Sequence, residues 1–511
     1  MKITQTIPIH VAFLAVFPVI FLFSENMQEL VPTDIIIPLL VIIPISLTVF
    51  FVLKLILKDF NKAALIVSIG LVLFFTYGHF YSIFKGFTIF DEDIGRHRYI
   101  VIPFILGIFV PAYFIIKSKI DFKNITKIVN VISIVLVGMV ILNIITFGVT
   151  EIESYSLVHF EPSDSNIELQ NMHNTPDVYY IILDEYGGPE SMKYLNYDNS
   201  KFYEFLKEKN FIIPEKSTSN YPMTHFSIPS SMNMEYVNYL SNILGEDSKT
   251  FLPLREILYE SKVISNFKSL GYDIVIFESG FVSPENFVLV DDIVCHEEGI
   301  DSVLLDTITR TSMIGYFKER QEEQKIRDRI NCVFSEIKTI GNNKDVPIFV
   351  FAHMLIPHPP NVFGPNGEAV IPGNPISSEI WDEKIAYIDQ VKFVNNEIIK
   401  VIEKILDKNE KPIIVIQSDH GSGFDIDWKN PDESMILQRT SILNAYYVPE
   451  ISENKFYENI TPVNSFRIIF NNYFNGNYKI LEDRNYWNNI DKPFDFHDVT
   501  EIVDTNIKKP Q

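Results

Sequence analysis

Residues 412–421 read PIIVIQSDHG and residues 177–188 read DVYYIILDEYGG. Each is a short run of β-branched and aromatic side chains without polar alternation, and each stops at acidic residues or histidine. A strand apolar on both faces belongs to a sheet buried on both sides, the habit of parallel sheets between helical layers. DIVIF at 273–277 and IFVFA at 348–352 repeat the pattern. Between these runs lie segments of helical period, such as DQVKFVNNEIIKVIEKIL at 389–406. The expectation for residues 176–511 is an α/β domain whose mostly parallel central sheet is covered by helices on both faces.

The residues just past each strand carry the chemistry. The first run ends in Asp184-Glu185, the run at 348–352 ends in His353 with His358 five residues on, and the run at 412–417 passes through Ser418 into Asp419-His420. Ligands of open α/β sheets bind beyond the carboxyl ends of the strands, so these residues are expected to converge on one site. Carboxylates and imidazoles together suit one or two divalent ions, Zn²⁺ or Mn²⁺, better than a thiolate site would. Thr224, in SNYPMTHFSIPSSMNMEY (219–236), precedes a helical stretch. Two readings of it stand open: a helix N-cap, or a hydroxyl nucleophile favoured by the helix terminus and a metal.

Outward from the domain the composition changes. Residues 1–150 carry 11 Lys and Arg against 8 Asp and Glu, whereas 151–511 carry 32 against 57. The acidic second part argues against a nucleic-acid partner, because phosphate contacts need Lys and Arg. The first part holds five apolar runs at about 7–24, 34–57, 63–84, 99–116 and 125–148, each near the ~20 residues that cross a bilayer. The first lacks a small-residue cleavage site and reads as a retained helix rather than a signal peptide. Lys2, the lysines at 54, 58 and 62, and those at 117, 119, 123 and 127 fall on one side of such a bundle. The positive-inside rule then puts the N-terminus in the cytoplasm and, after five crossings, residue 151 onward outside. His79 and His97 lie near the outer ends of the helices, as interfacial or functional residues. Residues 151–175 read as a polar linker. Cys295 and Cys332 form one disulfide or stay as two thiols; both readings stand. The charged stretch YFKERQEEQKIRDRI (316–330) reads as a solvated surface helix, and the fold of 425–511 is left open.

DVYYIILDEYGG, a threonine some forty residues later and IIVIQSDHGSG together resemble the sulfatase-like branch of the alkaline phosphatase superfamily. The five-helix anchor with an outside catalytic domain is similar in layout to lipoteichoic acid synthases and lipid A phosphoethanolamine transferases. The resemblance covers about 177–425. It implies metal ligation by Asp184, Asp419 and His420, with Glu185 where sulfatases carry a second acidic ligand. It also implies a metal-bound nucleophile at Thr224 and a substrate-side histidine at His358; His353 has no clear counterpart but is taken with His358 as substrate-binding. Sulfatases of this fold use a Cys or Ser in a C/S-x-P-x-R signature. MTHFS at 223–227 departs from it, which disfavours sulfate esters. The implied activity is transfer of a phospho-alcohol group, of phosphoethanolamine or phosphoglycerol type, from a membrane phospholipid to a cell-surface glycan or lipid through a phospho-threonine intermediate. An extracytoplasmic phosphodiesterase or sulfuric ester hydrolase is the alternative, and a non-catalytic membrane scaffold of the same fold is a third.

Overall fold

The computed structural model describes residues 7–84, 87–89, 92–155, 169–170, 175–281, 283–296, 302–341, 346–371, 382–407, 411–451 and 455–507. The chain divides into two compact units, residues 1–153 with 299–322, and residues 154–298 with 323–511.

The first unit is built on α1 (His10–Glu25), α2 (Ile36–Leu57), α3 (Phe60–Phe84), α4 (His97–Lys117) and α5 (Lys123–Tyr155). Large apolar side chains such as Leu40, Leu55, Phe109, Phe114 and Leu142 point outward, which suits helices whose solvent is hydrocarbon. Four stretches, Pro32–Leu57, Phe60–Phe84, His97–Lys117 and Lys123–Gly148, are long and apolar enough to cross a membrane. The fifth expected crossing, α1, falls short of that length. It has 16 residues, about 24 Å at 1.5 Å per residue against a hydrocarbon core of ~30 Å. The apolar run at 7–24 is longer than the helix because Ile7 and Pro8 precede it outside the helix and Ile9 serves as its N-cap. Some polar groups inside the bundle pair with one another: His10 Nδ1 lies 2.6 Å from Ser68 Oγ, and Asn143 Nδ2 donates to Ser24 Oγ at 2.7 Å. His97 Nδ1 lies 2.8 Å from the Tyr77 hydroxyl, and its ring stacks on Tyr81 at 3.5 Å. His79 is exposed.

The boundary expected at residue 176 is not clean. Residues 299–322, read as part of the second domain, belong to the first unit. The reason is the helix Val303–Thr311, which buries Leu304 and Ile308 in one cluster with Val19, Leu22, Phe23 and Met27 of the N-terminal part. The linker read at 151–175 lies mostly outside the described residues, and α5 runs through its first five positions.

The second unit carries a six-stranded sheet of β1 (Val178–Leu183), β2 (Asp273–Phe277), β3 (Asp292–Val294), β4 (Ile348–Met354), β5 (Ile413–Gln417) and β6 (Asn444–Tyr447), in the order β3-β2-β4-β1-β5-β6. All neighbours are parallel except β5 and β6. Successive residues of β1 alternate between two cores: Tyr179, Ile181 and Leu183 enter one, and Val178, Tyr180 and Ile182 the other. The first core is closed by the helix Glu383–Leu406 through Tyr387, Val391, Val394 and Ile398. Its N-cap Asp382 accepts the Lys384 and Ile385 amides. The second core is closed by the helix Pro462–Tyr473 through Phe466, Ile469 and Phe470. Each such fully buried side chain stabilises the sheet by about 1.5–3 kcal/mol. The predicted α/β architecture is therefore present, with two short edge strands that the sequence pattern does not reveal. The register aligns Ile182 of β1 with His353 on one side and Gln417 on the other, so the ends of β4, β1 and β5 open at one level. The first strand in the chain lies between two later ones, and that break in strand order is where such sheets leave a crevice.

Candidate active site

The crevice collects Asp184 and Glu185 from the end of β1, His353 from β4, His358 from the segment after it, and Asp419 and His420 from the end of β5. All but His358 are buried. The Asp184 amide donates to the Met354 carbonyl at 3.0 Å, and the Asp184 carbonyl accepts the His358 amide at 3.1 Å. Asp184 Oδ2 is 3.1 Å from His353 Nε2. Glu185 turns the chain in the left-handed region, φ 62°, a conformation that a non-glycine residue holds only when its surroundings over-determine it. Here its amide donates to Asp419 Oδ1 at 3.1 Å and its carbonyl accepts the Tyr387 hydroxyl at 2.7 Å. Its Oε1 accepts the Gly423 amide at 2.8 Å, and Oε2 is 3.6 Å from His358 Nε2.

Thr224 is the first residue of the helix Thr224–Asn233, and the N-cap position belongs to Met223. The capping alternative thus falls away, and the hydroxyl is left for the crevice: Oγ1 lies 3.0 Å from His420 Nε2. Ser227, one turn on, donates to the Asp419 carbonyl at 2.6 Å and fixes the helix against the β5 end. His420 Nδ1 is 3.1 Å from the Gly421 carbonyl. That contact requires the proton on Nδ1 and leaves the Nε2 lone pair facing Thr224 and Asp419 Oδ2, the latter at 3.2 Å.

The charges are unbalanced. Asp184, Glu185 and Asp419 are 2 %, 6 % and 3 % exposed. Burial pushes the Asp419 carboxyl up to about 7, helped by the neighbouring charge of Asp184. Burial opposes Asp184 as well, but the hydrogen bond from His353 and the nearby imidazoles hold it below the usual carboxylate range. Burial and the cationic Arg439 keep His420 well below the ordinary imidazole value. For His358 burial is outweighed by Asp184 and Glu185, and its value rises.

Asp184 Oδ1 and Asp419 Oδ2 are buried without a hydrogen-bond partner among the described residues. An unpaired buried carboxylate oxygen is costly, and two of them beside an imidazole lone pair are what a cation resolves. Ligand atoms of Asp184, Asp419 and His420 lie within 4.8 Å of one another, as do those of Asp184, Glu185 and His358. The donor set, carboxylates with imidazole, fits a divalent cation.

Two site residues were not found from sequence. Arg439, 7 % exposed on the helix Glu433–Thr440, donates Nε to the Pro222 carbonyl at 2.7 Å and Nη1 to the Gly421 carbonyl at 3.0 Å. Its Nη1 is 3.5 Å from Glu185 Oε1 and its Nη2 is 3.1 Å from His420 Nε2. His225 stacks on Phe251 at 4.2 Å and meets Phe281 edge-on at 5.0 Å; burial lowers its imidazole to about 4. Nothing in a single sequence sets these residues apart, although His225 follows Thr224 directly. His353 contacts Asp184, and Phe281 packs edge-on against its ring at 5.3 Å. Cys295 and Cys332 are joined as a disulfide.

No protein-family model and no curated protein matches the chain. Among solved structures it is similar to the zinc complex of the C-terminal periplasmic domain of EcEptC from Escherichia coli, at 12 % identity over 65 % of this chain and 95 % of that one, TM-score 0.43. The integral membrane lipooligosaccharide phosphoethanolamine transferase A from Neisseria meningitidis matches at 12 % identity over 89 % of this chain and 94 % of that one, TM-score 0.41. A protein of the alkaline phosphatase superfamily from Vibrio parahaemolyticus matches at 12 % identity over 63 % and 74 %, TM-score 0.37.

Proposed function

We propose that this chain is a metal-dependent transferase that moves a phospho-alcohol group from a membrane phospholipid to a cell-surface glycan or lipid through phospho-Thr224. The observation that carries the reading is the position of Thr224 Oγ1, 3.0 Å from His420 Nε2, at a helix N-terminus beside two unpaired carboxylate oxygens.

Asp184, Asp419 and His420, with Glu185, would hold the divalent ion or ions. A bound ion supplies Lewis acidity that lowers the hydroxyl pKa of Thr224 and stabilises charge developing on phosphoryl oxygens. Thr224 Oγ1, its proton given up to solvent, forms a bond to phosphorus as the bond to the diacylglycerol oxygen breaks. His358, half-exposed at the mouth of the site with Nε2 3.6 Å from Glu185 Oε2, serves as the acid that protonates the departing alkoxide. An acceptor hydroxyl then attacks phosphorus, gives up its proton to the same imidazole and releases Thr224. Arg439 holds Glu185 and the Gly421 carbonyl in place. A tethered enzyme meets a lipid donor at high effective concentration. In this reading α1 completes five crossings, the N-terminus is cytoplasmic and the catalytic unit is extracytoplasmic.

Incubation of the full chain in vesicles with headgroup-labelled phospholipid tests the reading. Label appearing on an added acceptor, abolished by Thr224→Ala and by chelation and restored by Zn²⁺ or Mn²⁺, is the expected result. Release of free phospho-alcohol at a rate independent of acceptor would convert the assignment to hydrolase.

A further inference from the structure

The first unit contains a segment that its hydropathy conceals. The helix Val303–Thr311 and the beginning of the helix Gly315–Glu336 form two limbs joined by a three-residue turn. An ion pair between Asp306 and Lys318, 3.4 Å, spans the limbs. Gly315 is required at the turn, because a Cβ there would collide with the Arg310 carbonyl. The inner side of the hairpin buries Leu304 and Ile308 in the cluster formed with α1 and α2. Its tip lies against α3: a Cβ on Gly78 would collide with the Thr311 carbonyl, and the Met313 amide donates to the Phe74 carbonyl at 3.0 Å.

The depth of the tip follows from α4. His97, its first residue, bonds the Tyr77 hydroxyl, so α4 begins at the level of Tyr77 on α3. Tyr77, Tyr81 and His97 form an aromatic cluster there, as expected where helices leave the hydrocarbon. Gly78 is the next residue, and Phe74 lies three residues deeper, about 4.5 Å along the helix axis. The tip therefore sits at, and slightly below, the apolar boundary. Its outer side carries apolar residues that a water-facing turn would not: Val303, Ile314 and Phe317 are 60 %, 44 % and 71 % exposed, next to an exposed Arg310. Thr311 also lines an apolar cavity of about 320 Å³ with Phe17, Phe21, Phe75 and Leu136, of a character that suits an acyl chain.

We propose that residues 302–318 are an interfacial hairpin, with Val303, Ile314 and Phe317 seated among lipid acyl chains at the headgroup boundary and Arg310 against lipid phosphates. Interfacial elements of this kind bury their apolar side about 5–10 Å into the boundary. Hydropathy misses this one because Asp306, Arg310 and Lys318 interrupt its apolar residues.

The test uses the full chain in vesicles of phosphatidylethanolamine and phosphatidylglycerol, with a polarity-sensitive fluorophore on Ile314→Cys, Phe317→Cys or Val303→Cys. Val288→Cys, 66 % exposed in the second unit, is the aqueous control. The three hairpin labels are expected to emit at shorter wavelength than the control and to be quenched at least roughly twofold by lipids spin-labelled near the headgroup. Hairpin labels that match the Val288 control in emission and remain unquenched would overturn the proposal. The readout needs no turnover, so it stands or falls independently of the transferase assignment.

Discussion

Replacing Arg439 by glutamine removes a guanidinium placed among the buried carboxylates of the site. Arg439 is 7 % exposed, with Nη1 3.5 Å from Glu185 Oε1 and hydrogen bonds of 2.7 and 3.0 Å to the Pro222 and Gly421 carbonyls. The shorter amide cannot reach all three. Glu185, itself 6 % exposed, is left as a buried charge beside Asp184 and Asp419. Breaking a buried ion pair by removing one partner costs about 3–5 kcal/mol, most of it the stranded charge. At roughly 2 °C per kcal/mol for a large domain, the melting temperature should fall by about 6–10 °C. Tryptophan emission is a local reporter, because the guanidinium carbon lies 5.2 Å above the Trp428 ring. The measurement belongs on chelated protein, where no cation masks the loss. Glu185→Gln in the same background should restore part of the stability, giving a coupling energy of about 1–3 kcal/mol. A melting temperature for Arg439→Gln within about 1 °C of the parent, or effects of the two substitutions that simply add, would refute the reasoning.

Metal affinity should depend on pH through Asp419, whose buried carboxyl is pushed up to about 7. The ion needs the carboxylate, so below pH 7 binding displaces a proton and affinity falls by up to about tenfold per pH unit, flattening above about pH 8. Titration calorimetry in buffers of different ionisation enthalpy counts that proton, and a release no larger at pH 6 than at pH 8 would contradict the assignment. Cys332→Ser should destabilise the second unit by about 3–4 kcal/mol for a closed loop of this length, the two cysteines being 37 residues apart; an unchanged melt of the variant would argue that the bridge constrains nothing. Phe267→Ala, fully buried and stacked on Phe349 at 4.5 Å, should cost about 3–5 kcal/mol in chemical unfolding, and a loss below about 1 kcal/mol would mean that this face of the sheet is not close-packed.

The parts of the fold that could be read from the chain are those in which local chemistry and tertiary environment agree. β1, β2, β4 and β5 are buried on both faces, so their central residues are apolar and resemble no loop. The edge strands β3 and β6 are short, and β3 is only half-buried; their residues make no pattern that a loop would not. Asp184, Glu185, Asp419 and His420 could be picked out as candidates because each lies at or just past the end of a readable strand. Thr224 is different: its local sequence allowed a cap, and neither the N-cap at Met223 nor the contact with His420, 196 residues away in the chain, is legible there. Arg439 and His225 are defined by partners that no local pattern encodes. The helix Val303–Thr311 escaped for the same reason, since its partners Val19, Leu22 and Met27 lie at the other end of the chain. For α1 the apolar stretch at 7–24 is longer than the 16-residue helix, because hydropathy measures transfer to lipid and is blind to where the helix starts.

The central claim is that Thr224 becomes covalently phosphorylated. It is tested most directly by quenching the full chain in acid during turnover of a headgroup-labelled phospholipid and mapping the label by tandem mass spectrometry. A phospho-alcohol adduct is expected on the peptide containing Thr224, absent after chelation, absent in Thr224→Ala and accumulating when acceptor is withheld. Continued turnover by Thr224→Ala, or an adduct on a residue other than Thr224, would contradict it.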